Sequence, residues 1–198
     1  MSDIEKRTFA CELRAAMDGD TPKIDGYGAV FNSRSENLGG FREIIMPGAF
    51  DSVLDDDVRA LFNHDPNFVL GRSSAGTLEL STDDKGLRYL IDAPNTQTIR
   101  DLVLEPMKRG DISQSSFAFR VARNGEEWEE DEDGVIVRTI HKMQRLFDVS
   151  PVTYPAYTDA GAATRSLKAW QEAREQGVLK QAISQRQARE RLLDLIGA

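Results

Sequence analysis

Two alternating runs meet at a tight turn in GTLELSTDDKGLRYLIDAP, residues 76–94, and no other stretch limits the fold so strongly. Leu78 and Leu80 precede the turn, and Leu87, Tyr89 and Ile91 follow it, each at every second position. That period turns one face of a strand to a core and the other to water. Asp84-Lys85-Gly86 supplies the turn, so the segment reads as a β-hairpin. Similar strand signals recur along the chain. Residues 7–14 alternate loosely, and IDGYGAVFN (24–32) is a strand in which Gly26 and Gly28 mark a bend or a close backbone approach. FREIIMPGAF (41–50) ends at Pro47-Gly48, and VRALFNHD (58–65) is closed by Asp65-Pro66. GVIVRTIHKMQRLFDVSPV supplies one or two more strands, and VTYPAYTDAGAAT is turn-rich.

The period changes twice. Ile99, Leu102, Val103 and Met107 fall near helical spacing, with Asn95 or Thr96 as cap, Gly110 as stop and Pro106 as a kink or a short last turn. From Thr164 the chain is rich in Ala, Gln, Arg, Glu and Leu, which predicts a helical tail with a break at Gly177. The expected fold is α+β: six to eight strands in a closed or nearly closed, mostly antiparallel sheet, one internal helix and the tail. The expected domains are 1–163 and a basic helical segment, 164–198.

The chain has 198 residues, enough for one domain with a real core and an appendage. Its net charge of −8 argues against nucleic acid, whose phosphates need a basic surface. No apolar run approaches a membrane span, and MSDIEKRTF lacks a secretory apolar stretch. The single cysteine, Cys11, makes no internal disulfide, which allows a reducing compartment. Without a Cys/His cluster, no metal site is expected, and no cofactor motif is present. The charge is uneven. EEWEEDED (126–133) holds seven acids and reads as a solvated hairpin tip, whereas residues 164–198 carry seven Lys/Arg against four Asp/Glu.

Residues 110–121, GDISQSSFAFRV, make an odd strand. Phe117, Phe119 and Val121 alternate onto one face, which sets Ser116, Ala118 and Arg120 on the other. A serine attacks an amide only with a base in hydrogen-bond reach, and histidine suits that task near neutral pH. The chain has two histidines: His64 in LFNHDP and His141 in IVRTIHKMQ. There is no G-x-S-x-G elbow and no S-x-x-K signature around these serines. From the residues alone, the result is an acidic β-rich domain able to hold a Ser–His pair.

Four segments in order narrow this reading: GYGAVFN, LFNHDPNFVLGR, RGDISQSSFAFRV and LFDVSPVTYPAY. Over roughly residues 5–165 the chain resembles the prohead protease family of tailed bacteriophages, herpesvirus-assemblin-like serine proteases that mature capsids. The resemblance implies a β-barrel-like fold flanked by helices. It also implies cleavage of scaffold and major capsid protein precursors, and commonly of the protease itself. The setting would be the prohead, in host cytoplasm or from a prophage. Assemblin-like enzymes often act as dimers, so a homodimer is compatible with it.

By position, His64 matches the family's histidine and Ser116 its nucleophile. Gln114-Ser115 replaces the more usual small and apolar pair, which keeps Ser115 open as the nucleophile. Asp148 in FDVSPV matches an acidic position, while assemblins use a second histidine, a part His141 could take. The alternatives from other classes are a non-catalytic capsid-assembly protein with the same fold and an unrelated small β-barrel binding module. Whether His64 and Ser116 approach within hydrogen-bond distance separates the first from a protease.

Overall fold

A computed structural model describes residues 4–10, 13–154 and 161–196, and among these the alternating runs form twelve strands, not six to eight. The chain divides into two compact units, Met1–Ala162 and Ala163–Ala198. The strands of the first unit are β1 (Glu5–Ala10), β2 (Leu13–Asp18), β3 (Thr21–Val30), β4 (Arg42–Ile45), β5 (Arg59–Phe62) and β6 (Asp65–Arg72). They continue as β7 (Leu78–Thr82), β8 (Gly86–Asp92), β9 (Gln114–Val121), β10 (Glu126–Glu130), β11 (Ile136–Ile140) and β12 (Met143–Val152). The loose alternation of residues 7–14 thus belongs to two strands, with 11–12 outside the described residues.

The expected barrel does not form. The strands make three open sheets, ordered β1-β9-β12-β5-β6, β2-β3-β8-β7 and β10-β11-β4, and none closes on itself. Strand outweighs helix among the described residues, so the architecture is mostly β rather than an α+β barrel flanked by helices. Closure requires two edge strands to pair, and alternation specifies buried faces without saying which edges meet. Here β1 and β6 remain edges of the five-stranded sheet. Pro66, read from the sequence as a terminator, lies inside β6, where an edge tolerates its missing N–H.

The five- and four-stranded sheets share one apolar core. Phe117 and Phe119 of β9 meet Ile24 of β3 and Leu87, Tyr89 and Ile91 of β8 in it, with Ile99, Val103 and Met107 from the helical run 97–109. That run is capped by Thr96, whose hydroxyl accepts from the Ile99 amide, and Gly110 ends it at φ 83°. Its middle, Arg100–Leu104, is a π turn, after which Pro106 sits in the first turn of Glu105–Arg109, where a missing N–H costs little.

The three-stranded sheet is fastened to β1 by buried charges. Arg7 donates to Glu5 at 2.6 Å and to both Glu43 oxygens at 2.9 Å. Arg138 donates to Glu5 at 2.7 and 3.0 Å and to Glu43 at 2.9 Å, and also holds Glu126. Burial by itself pushes the Glu5 carboxyl up, but the Arg138 and Arg7 guanidiniums overcome it and hold it below the usual carboxylate range. Removing one charge from such a buried set costs about 3 kcal/mol. Glu5→Gln should lose about that much in chemical denaturation at neutral pH. A depressed folded pKa stabilises above the unfolded value and is lost as pH falls through the folded one. The gap between variant and wild type should therefore close in acid.

The helix Gly161–Ile196, which supplies the second unit from Ala163 on, runs through Gly177 without the expected break. Lys168 and Glu172 pair at 3.9 Å along it, and Arg174 lies 5.4 Å from the Trp170 ring. Val178 and Leu179 are exposed along it. Residues 155–160, in the turn-rich stretch after Tyr154, lie outside the described residues.

Candidate active site

The serine strand, β9, lies inside the five-stranded sheet, between β1 and β12. Ser116 stands opposite Thr8 of β1 and Ser150 of β12, and Ala118 stands opposite Asp148. Directly opposed residues share a sheet face, so Ser116, Ser150 and Asp148 face the same way, away from Phe117 and Phe119. A bulge between Leu146 and Asp148 puts an extra residue, Phe147, into β12 and re-aims the strand next to the carboxylate.

His64 reaches that face by a turn. Asn63 and His64 are the two residues joining β5 to β6, with φ of 56° and 58°. Consecutive left-handed residues are what a two-residue type I′ hairpin demands, and Asn favours the first of them. The Asn63 amide donates to the Pro151 carbonyl at 3.0 Å. Its side chain donates to Thr153 Oγ1 at 3.1 Å and accepts from the Thr153 amide at 2.8 Å. The histidine turn is thereby clamped to the end of β12.

Three side chains then form a chain of hydrogen bonds. His64 Nδ1 lies 2.6 Å from Asp148 Oδ1, and His64 Nε2 lies 2.7 Å from Ser116 Oγ. A carboxylate only accepts, so Nδ1 carries the proton and Nε2 is left to accept from the serine hydroxyl. Ser116 Oγ is also 2.9 Å from the Arg7 carbonyl, so its one proton has two acceptors. Ser116 has no solvent exposure.

The two alternatives stand elsewhere. Ser115 faces the core, where its hydroxyl is 2.7 Å from the Tyr89 hydroxyl, a bond between the two large sheets. Gly26 makes room for it: a Cβ there would lie 2.8 Å from that same Tyr89 hydroxyl, the close approach expected of this glycine. His141 is 43% exposed in its side chain and lies 3.4 Å from Glu127, with neither Ser116 nor Asp148 among its partners.

The family profile of the caudovirus prohead serine protease matches residues 9–173. The chain belongs to that family. No curated protein and no solved structure matches it. Membership gives this prohead serine protease its general setting, phage capsid assembly in the host cell among capsid precursors. Among the described residues, no helix is long and apolar enough to cross a membrane.

Sequence reasoning missed two residues at the site of this family member. One is Asn63, whose signal was an Asn in the first position of a two-residue turn. The other is Ser150, which is fully buried and donates to Asp148 Oδ1 at 2.7 Å, the same oxygen that faces His64. Its signal was the period of two from Asp148. A hydrogen bond to a charged oxygen contributes about 1.5–3 kcal/mol. Ser150→Ala should therefore lower kcat/KM about tenfold or more by releasing the carboxylate, with KM little changed, as steady-state kinetics on a peptide would show.

Proposed function

We propose that this chain is a serine endopeptidase that cleaves segments of scaffold and major capsid protein precursors, and itself, during prohead assembly. The hydrogen-bonded series Asp148–His64–Ser116 carries the reading. A non-catalytic relative has no need for a histidine nitrogen 2.7 Å from a serine oxygen on a strand face, with a carboxylate behind it.

In the proposed reaction, His64 Nε2 takes the Ser116 proton as Oγ attacks the scissile carbonyl carbon. Asp148 holds the ring and stabilises the imidazolium. The imidazolium returns the proton to the leaving amine, the C–N bond breaks, and an acyl ester remains on Ser116. Water, deprotonated by His64, hydrolyses the ester and restores both groups. Small Ala118, opposite Asp148, leaves space beside the serine for a peptide backbone. Because Ser116 is buried, substrate entry must part its hydroxyl from the Arg7 carbonyl and the atoms over it.

Co-expression with the capsid and scaffold proteins of the same phage tests the reading. Shortened partners, weighed by mass spectrometry and seen only when the wild-type chain is present, support it. Partners of unchanged mass favour the assembly-protein alternative. We further propose that residues 164–198 are a detachable, basic segment that carries the protease into the assembling shell. Deleting 166–198 should abolish packaging into proheads while sparing cleavage of a short peptide. Loss of peptide cleavage in the folded truncation would make the helix part of the catalytic domain.

A further inference from the structure

Three cations share the sheet face that carries Ser116. Lys6 of β1 stands opposite Ala118, and Arg145 of β12 stands directly opposite Arg120 of β9. Ser116, Ala118 and Arg120 alternate onto one face, so Lys6, Arg120 and Arg145 project from it together across three adjacent strands. Among the described residues none of the three has a carboxylate partner. Several other arginines do hold carboxylates. Arg59 and Arg72 hold Asp57, Arg88 holds Asp25, and Arg138 holds Glu5 and Glu43.

Two guanidiniums lie instead over one aromatic ring. Arg120 Cζ is 5.4 Å and Arg145 Cζ 5.6 Å from the centroid of Phe147. Phe147 is the extra residue of the bulge that also precedes Asp148, so one local irregularity places both the carboxylate and this platform. Arg120 Nε is buried with no hydrogen-bond partner. Like charges directly opposite in a sheet are destabilising, and an unmet buried donor costs more. Local rules of this kind are broken mainly at functional or strained sites.

We propose that Lys6, Arg120 and Arg145 form an anion subsite that binds Asp or Glu side chains of the peptide being cleaved. The proposal rests on the protease reading and adds a substrate class to it. A guanidinium fork matches a carboxylate in two parallel bonds, and stacking on Phe147 holds two forks ready. Arg120 is four positions from Ser116 along β9, roughly 13 Å at the rise of a strand. An extended peptide would cover that with about four residues, so the acidic position lies about three to five residues from the scissile bond.

Cleavage of a proteome-derived peptide library by the full chain, with every cut located by mass spectrometry, tests this. We expect Asp and Glu enriched at one position three to five residues from the cut. Paired synthetic peptides with Glu or Gln at that position should then differ about tenfold in kcat/KM, as expected of one charge-assisted contact. In Arg120→Gln/Arg145→Gln that ratio should fall to about one. The exposed Arg145→Glu should reverse the preference toward Lys.

A flat library profile, or a ratio unchanged in both variants, overturns the subsite and leaves the protease reading standing. Absence of any cut, with the Ser116→Ala chain binding tetraglutamate no better than tetraglutamine, overturns both. Tetraglutamate bound selectively by the Ser116→Ala chain, and released by the double substitution, supports the subsite without reference to turnover.

Discussion

Ser116→Ala should reduce peptide cleavage by at least about ten-thousandfold while leaving the fold intact, since removing a serine nucleophile leaves only binding and dipoles to act. The hydroxyl has two described contacts, with His64 Nε2 and with the Arg7 carbonyl, and the second joins β9 to β1, strands already paired over six positions. Its loss should barely move the thermal midpoint. A rate assay and a melting curve on the same sample separate the two effects. A variant that keeps a tenth of the activity would remove Ser116 from the chemistry.

Asp148→Asn should lower kcat/KM about 10³- to 10⁴-fold. Asparagine keeps the shape and can keep the bond from Ser150, but it removes the charge that stabilises the imidazolium. Its NH2 can also face Nδ1, which would leave the imidazole proton on Nε2, where it blocks acceptance from Ser116. The effect should fall on kcat more than on KM, because the charge matters when the proton has moved. Equal loss of binding and turnover would point to a collapsed hairpin instead.

Much of the candidate site's placement was legible because it obeys a period of two. Phe117 and Phe119 had to share the core, so Ser116 and Ala118 had to share the other face, and the structure keeps that parity. The order of motifs matched His64, Ser116 and Asp148 to family positions, and hydrogen bonds join those three. Edges and bulges were not legible. Pro66 reads as a stop in any window of sequence, yet on an edge it continues the strand, and this hid the Asn63–His64 turn. The barrel expectation failed for a related reason: β1 and β6 look like pairing strands until a sheet leaves them as its borders. The buried charges were hidden too, because Glu5 and Arg138 meet across 133 positions of chain.

Ser116 is proposed as the attacking group, and the cleavage reaction depends on it. Covalent labelling with a fluorophosphonate of the wild-type chain, taken from a reaction in which capsid precursors are being cut, tests that role. The labelled peptide is then identified by fragmentation. One adduct per chain is expected, on Ser116, absent from Ser116→Ala and present in Ser115→Ala. An adduct on Ser115, or continued cutting of precursors with Ser116 unlabelled, would remove Ser116 as the nucleophile.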